Sequence, residues 1–236
     1  MKIGVTGYKG RVGQILVQSI KSNNSFEFAG GIDKGDDPLP LFKEADAVID
    51  FSHPDATVVH ADVAAQTGTA LVIGTTGLTD EQEQILKTSS QKATIVYAAN
   101  MSVGVNMLLA LVKQAAERLD SEWDIEVFET HHHHKIDSPS GTALALGKAA
   151  REGRGGGDFI VDREGARKQG DIGYAVQRGG DVVGEHTVTF FSQGERIELG
   201  HKATDRSLFA KGALRAAQWT KGKKAGLYSM TDVLDL

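Results

Sequence analysis

The first 34 residues constrain the fold more than any other stretch of this chain. Lys2-Ile3-Gly4-Val5-Thr6 is a short β-rich run, and Gly7-Tyr8-Lys9-Gly10-Arg11-Val12-Gly13 follows it. Val12, Ile15, Leu16 and Ile20 then recur at helical spacing. Phe26 to Ile32 reads as a second strand, closing on Asp33-Lys34. Strand, glycine loop, helix, strand and acid is the layout of a dinucleotide-binding unit. Its glycines let the backbone approach a pyrophosphate, and the helix N-terminus supplies a field that favours an anion. Asp33 stands where such a unit wants a carboxylate for the adenosine ribose. The spacing G-x-x-G-x-x-G departs from the usual G-x-G-x-x-G, so the surrounding strands and helix carry the reading. The alternative is a glycine-rich turn without a ligand.

The same alternation continues. Gly35 to Pro40 reads as a polar loop, and Ala47-Val48-Ile49-Asp50-Phe51 as a buried parallel strand. Pro54 opens a helix to Gln66, with Gly68 as its stop. Ala70 to Ile73 is a strand ending in Gly74-Thr75-Thr76-Gly77, either a ligand loop or an ordinary turn. Thr79 and Gln82 form a capping box, and Thr94 to Tyr97 is a strand ended by Ala98-Ala99-Asn100-Met101. This predicts an α/β fold with a Rossmann-like, doubly wound parallel sheet.

After Met101 the pattern changes. Val103 to Leu119 is a long helix, and Ile125 to Glu129 a strand. Arg151 to Gly157 reads as a glycine-rich loop. Strands follow with short connections at Ile172 to Arg178, His186 to Phe191 and Ile197 to Leu199, predicting an antiparallel or mixed sheet with a face that needs cover. Asp205 to Trp219 returns to helix, ended by Lys221-Gly222-Lys223-Lys224.

Composition excludes several classes. A net charge of −5, with no basic run, leaves no footprint for nucleic acid. No apolar run approaches the ~18 residues of a membrane span. The chain has no cysteine, so disulfides and thiolate metal sites are out. No signal-peptide pattern precedes the first strand, and a cytoplasmic location is expected.

Glu129-Thr130-His131-His132-His133-His134-Lys135, followed by Ile136-Asp137-Ser138-Pro139-Ser140-Gly141-Thr142, gathers the most proton-carrying groups. Four histidines allow a tag, a metal site or acid–base chemistry. The internal position argues against a tag. Consecutive residues of an extended run point to alternate sides, so four in a row cannot converge on one ion. His131 with His134, or His132 with His134, could chelate, but no further ligands are evident and no native metal is expected. Acid–base chemistry needs a group that titrates near neutrality and a cation for developing negative charge. His131 and Lys135 are the candidates. Ser140-Gly141-Thr142 reads as a carboxylate cradle, or as plain capping of the helix behind it.

Glu129-x-His131-His132-x-x-Lys135-x-Asp137-x-Pro139-Ser140-Gly141-Thr142-Ala143 resembles the signature of the 4-hydroxy-tetrahydrodipicolinate (dihydrodipicolinate) reductase family of the diaminopimelate route to lysine. Arg178-Gly179-Gly180-Asp181, Gly184-Glu185-His186-Thr187 and Asn100 to Asn106 extend the resemblance across the chain. It implies His131 as proton donor and acceptor, Lys135 as second proton donor, and His132, Gly141 and Thr142 as substrate contacts. It implies that Gly7, Tyr8, Lys9, Gly10, Arg11 and Val12 hold the cofactor pyrophosphate, and Asp33 and Lys34 its adenosine ribose. Gly74, Thr75, Thr76, Ala98, Ala99, Asn100 and Met101 would line the nicotinamide side. The resemblance further implies a cofactor domain over 1–100, completed by 208–236. An α+β substrate and oligomerisation domain is inserted at 101–207.

The expected activity is NADH- or NADPH-dependent reduction of a small dicarboxylate, in a homotetramer without nucleic-acid or membrane partners. Val12 and Met101 stand where many members have Met and Phe, and the segment from Asp33 to Asp46 is shorter than usual. The rivals are another dehydrogenase on the same fold, such as aspartate dehydrogenase, a nucleotide-sensing protein that has lost turnover, and a metal binder using the histidine run.

Overall fold

A computed structural model describes residues 1–236. In chain order the elements are β1 (Lys2–Thr6), α1 (Arg11–Lys21), β2 (Glu27–Ile32), α2 (Leu39–Glu44), β3 (Ala47–Asp50), α3 (Pro54–Thr67), β4 (Ala70–Ile73), α4 (Asp80–Ser89) and β5 (Thr94–Tyr97). Then come α5 (Val103–Arg118), β6 (Asp124–His131), α6 (Gly141–Arg154), β7 (Phe159–Ile160), β8 (Ile172–Arg178), β9 (Gly184–Ser192), β10 (Glu195–Ala203), α7 (Ser207–Trp219), β11 (Gly226–Tyr228) and α8 (Met230–Leu234). Met1–Val103 and Arg206–Leu236 form one compact unit, and Gly104–Asp205 a second. No helix is long and apolar enough to cross a membrane.

The first unit is a six-stranded parallel sheet in the order β11-β5-β4-β3-β1-β2. All four residues of β3 are buried, as expected of a strand covered on both faces. Ile3, Val5, Leu16 and Ile20 are fully buried in one core layer with Ala210, Ala213, Ala216 and Ala217 of α7. Full burial of a Leu or Ile side chain contributes roughly 1.5–3 kcal/mol. Phe42, Val48, Leu71, Leu86 and Ile95 fill a second layer. The chain steps from β1 to β2 on one side and to β3 on the other. That reversal is the switch point where open α/β sheets bind ligands, outside the carboxyl ends of the strands.

The second unit is a mixed sheet in the order β10-β9-β6-β8-β7. Central β6 runs parallel to β8 and antiparallel to β9. Alternation along β6 puts Ile125, Val127, Glu129 and His131 on the buried face and Phe128 on the other. Leu108 and Val112 of α5, and Ala143, Leu146 and Ala150 of α6, pack with Ile125, Val127, Val188 and Phe190.

Three expectations need correction, and one strand was not expected. The polar loop after Asp33 ends at Pro38, because Leu41 and Phe42 are drawn into the core and wind the next residues into α2. The predicted loop from Arg151 starts four residues late, since α6 continues to Arg154 before its left-handed cap at Gly155. The histidine run is not extended: β6 ends at His131, and the chain turns so that the Lys135 N–H donates to the His132 carbonyl at 3.1 Å. The short edge strand β11, beside β5, had no signal in the pattern.

Candidate active site

The buried side of β6 carries a carboxylate hub. Glu129 is 1% exposed. Its Oε1 accepts the Ser140 N–H at 2.9 Å, and its two oxygens accept Nη1 and Nη2 of Arg178 at 2.9 Å each. His131 Nδ1 hydrogen-bonds Glu129 Oε2. Burial alone would raise the Glu129 pKa. Bonds from Arg178, Ser140 and His131 outweigh it and hold the carboxyl below its usual range.

The register of the sheet assembles this group: Arg178 pairs with His131 across β8, and His186 with Glu129 across β9. The His186 ring lies edge-on to that of His131, with centroids 5.0 Å apart, and its Nε2 is 3.1 Å from Ser140 Oγ. Burial, reinforced by the neighbouring His131, pushes His186 down to about 4, so it is neutral near pH 7.

Lys135 is brought to the same place by the turn. Its Nζ meets Asp137 Oδ1 at 2.8 Å, and that bond holds the Asp137 carboxyl below its usual range. Arg178 Nη2 also donates to the Asp137 carbonyl at 2.6 Å, tying the turn to the hub. His132 donates its N–H to the Val182 carbonyl at 2.7 Å, whereas His133 and His134 are exposed. Ser140 caps α6 by accepting the Ala143 N–H at 3.2 Å. Gly141 and Thr142 therefore open the first turn, and beyond its chain neighbours and its own helix backbone nothing lies within 4 Å of where a Gly141 Cβ would stand. An open, dipole-favoured helix start suits a carboxylate.

Glu129, His131 and His186 are the three groups of ligand type that converge, their atoms within 4.8 Å of one another. The Arg178 guanidinium on that carboxylate would oppose a cation there, which favours a proton network.

The first unit presents the cofactor candidates at the carboxyl ends of its strands. Gly7, Gly10, Asp33 and Lys34 line one cavity of about 610 Å³. A Cβ on Gly13 would stand 2.2 Å from the Gly7 carbonyl oxygen, and one on Gly7 the same distance from the Phe51 carbonyl. The glycines thus permit close packing of loop, helix and strand. Asp33 accepts the Lys9 N–H at 3.3 Å and the Lys34 N–H at 2.9 Å, fastening β2 to the glycine loop. Gly74 to Thr76 lie beyond β4, where Thr75 Oγ1 accepts the Ser52 N–H at 2.9 Å. Ala98 to Met101 lie beyond β5, with Met101 buried.

Several residues had no individual signal. His60, Ser52 and Asp55 also line the cavity. Fully buried Asp50 accepts the hydroxyls of Thr6 and Thr57 at 2.7 Å and faces His60 Nδ1 at 3.4 Å. Burial would raise its pKa, and the bonds from His60, Ser52 and Thr6 keep it low. The partners of Glu129 were likewise unassigned. A polar residue on the inward phase of a strand, as Glu129 is, was the one available clue.

Comparison with known proteins gives one answer. Residues 1–101 match the family model described as dihydrodipicolinate reductase, N-terminus, and residues 104–234 that described as dihydrodipicolinate reductase, C-terminus. The 4-hydroxy-tetrahydrodipicolinate reductase of Parvibaculum lavamentivorans is 49% identical over 269 aligned residues, covering 100% of this chain and 98% of that one. The alignment exceeds the 236 residues of this chain, so the relative carries segments missing here. Dipicolinate-bound dihydrodipicolinate reductase from Paenisporosarcina sp. TG-14 has the same fold, with TM-score 0.84, 21% identity and 98% of each chain covered. Aspartate dehydrogenase from Thermotoga maritima is more distant, at TM-score 0.52 and 10% identity over 94% of this chain and 97% of that one.

Proposed function

The chain belongs to the dihydrodipicolinate reductase family, and on that premise we propose that it reduces 4-hydroxy-tetrahydrodipicolinate to tetrahydrodipicolinate, with NADH or NADPH, in lysine biosynthesis. Aspartate dehydrogenase is the weaker reading, because it shares only the fold. The observation that carries the proposal is the convergence of His131, Lys135 and the open start of α6 within one unit.

The residues present suit a dinucleotide. The glycine loop leaves no room for side chains at Gly7 and Gly13, and the cavity beside it has the size of ordinary cofactor sites. Asp33 retains acceptor capacity, since an ionised carboxylate offers about four lone-pair sites. Gly7, Tyr8, Lys9, Gly10, Arg11 and Val12 would hold the pyrophosphate, Asp33 and Lys34 the adenosine ribose. Gly74 to Thr76 and Ala98 to Met101 would hold the nicotinamide. The bound nicotinamide supplies a hydride.

The chain's own groups do the rest. Gly141 and Thr142 bind a substrate carboxylate at the α6 N-terminus, and His132 contacts the substrate. Lys135 stabilises negative charge developing in the substrate ring. His131 or Lys135 delivers the proton, and on His131 the free atom is Nε2. The cofactor is thus assigned to the first unit and the substrate groups to the second.

We further assign the enzyme to the cytoplasm, as a biosynthetic reductase, and its assembly to a homotetramer. Phe128 and Phe191 lie on the outward face of the second sheet, 39% and 38% exposed, among Thr187 and Thr189. Burying that face between copies would remove apolar surface from water. Monomer mass by light scattering at micromolar concentration would rule the tetramer out. The activity is tested by NADH and NADPH oxidation with freshly generated 4-hydroxy-tetrahydrodipicolinate. No substrate-dependent loss of reduced-nicotinamide absorbance with either cofactor, from folded protein, would sink the proposal.

A further inference from the structure

Glu129 is placed where it need not touch substrate, yet it bonds each group that must be held in register. It binds His131 Nδ1, the Ser140 N–H that opens α6, and the guanidinium of Arg178. Arg178 in turn holds the Asp137 carbonyl in the turn that carries Lys135. We propose that Glu129, braced by Arg178, is a positioning residue. It fixes His131 with its proton on Nδ1 and joins the proton carrier, the Lys135 turn and the anion-binding start of α6 into one rigid group.

An ionised carboxylate can only accept, so the short contact requires Nδ1–H. Nε2 is then the atom left to exchange a proton. The same logic governs hydrolase triads, where a buried carboxylate sets the tautomer and orientation of the imidazole. Stability alone is a poor reason for the Glu129–Arg178 ion pair that braces it, because taking two charges out of water carries a desolvation cost that their attraction barely repays.

The charged groups around His131 agree with the assignment. Arg178 approaches from β8 and is taken up by Glu129. His186 approaches from β9, with His201 of β10 behind it, and burial keeps His186 neutral near pH 7. Lys135 and Asp137 approach from the turn and pair with each other. Glu129 is therefore the carboxylate that meets the ring.

This inference rests on the reductase reading for its kinetics, but the tautomer does not. Imidazole nitrogen NMR of histidine-labelled full-length protein, with His131 assigned by comparison with His131→Gln, reads the proton position directly. The expected result is Nδ1–H in wild type. A His131 proton on Nε2 would overturn the role whether or not the protein oxidises reduced nicotinamide.

The kinetic arm uses Glu129→Gln and, because that change strands a buried guanidinium, the double variant Glu129→Gln/Arg178→Met. Turnover should fall roughly 10²–10⁴-fold, with the KM for the reduced nicotinamide within about twofold of wild type. A folded variant with wild-type kcat would overturn the proposal. If neither variant folds, the wild-type tautomer alone decides it.

Discussion

The Cβ that Gly184 lacks would stand 2.9 Å from Nε2 of His131. The ring cannot retreat freely, because Glu129 holds Nδ1 and His186 packs edge-on against it. Gly184→Ala should therefore tilt His131 while leaving the β9 backbone intact. Misplacing a reacting group by about 1 Å can cost ~10²-fold, so a loss of kcat of about 10–10²-fold is expected. Cofactor dissociation constants and circular dichroism should match wild type. Unchanged turnover would show that the Nε2 edge is not used.

His131→Gln and Lys135→Ala should lower turnover by about 10²–10⁴-fold, the usual range for general acid–base groups. Affinity for NADH and NADPH should change little, since both residues lie in Gly104–Asp205 and the glycine loop does not. Steady-state kinetics with cofactor titration by fluorescence separates the two effects. Wild-type turnover in His131→Gln would remove that residue from the chemistry.

Stability should fall on mild acidification. His186 is depressed from 6.5 to about 4 in the folded chain, so between those values the unfolded state binds more protons. Its stabilising contribution is complete above the unfolded value and is lost as pH falls toward the folded one. Linkage puts the loss at pH 5 at about 2 kcal/mol. His201, also lowered by burial, acts in the same direction. Glu129 and Asp50, held low, add their losses only further into acid. Urea unfolding at pH 7 and pH 5 should show the drop in wild type and a smaller one in His186→Gln. Equal drops would mean that His186 does not titrate in this window.

Lys34 is exposed beside Asp33 at the end of β2. A carboxylate there favours ribose hydroxyls and repels a 2′-phosphate, whereas the flexible Lys34 ammonium can offset that repulsion. With solvent screening, the Lys34→Ala loss for NADPH should be about tenfold, near the lower end for a charge-assisted bond. NADH should be nearly unaffected. Dissociation constants at two salt concentrations test this: a selective NADPH loss that shrinks at high salt is expected. Equal losses for both cofactors, or none, would leave Lys34 without the role.

The sequence by itself determined what is set by neighbours along the chain. The β1–glycine-loop–α1–β2 order, the Thr79–Gln82 capping box and the Gly68 stop of α3 all formed as their local pattern dictates. The long histidine–lysine signature likewise made the family legible before any contact was seen. Tertiary structure decided what depends on register and on distant packing. Arg178 reaches Glu129 only because β8 lies parallel to β6 at one particular offset, and a slip of one residue would turn every side chain to the other face. His186 meets Glu129 through the antiparallel register of β9 in the same way. The buried pairing of Asp50 with Thr6, Thr57 and His60 needs three elements closed around it. A strand's own residues fix which side chains share a face. Which partner stands across from them is set by the assembled sheet, because the free energy of that pairing belongs to both strands at once.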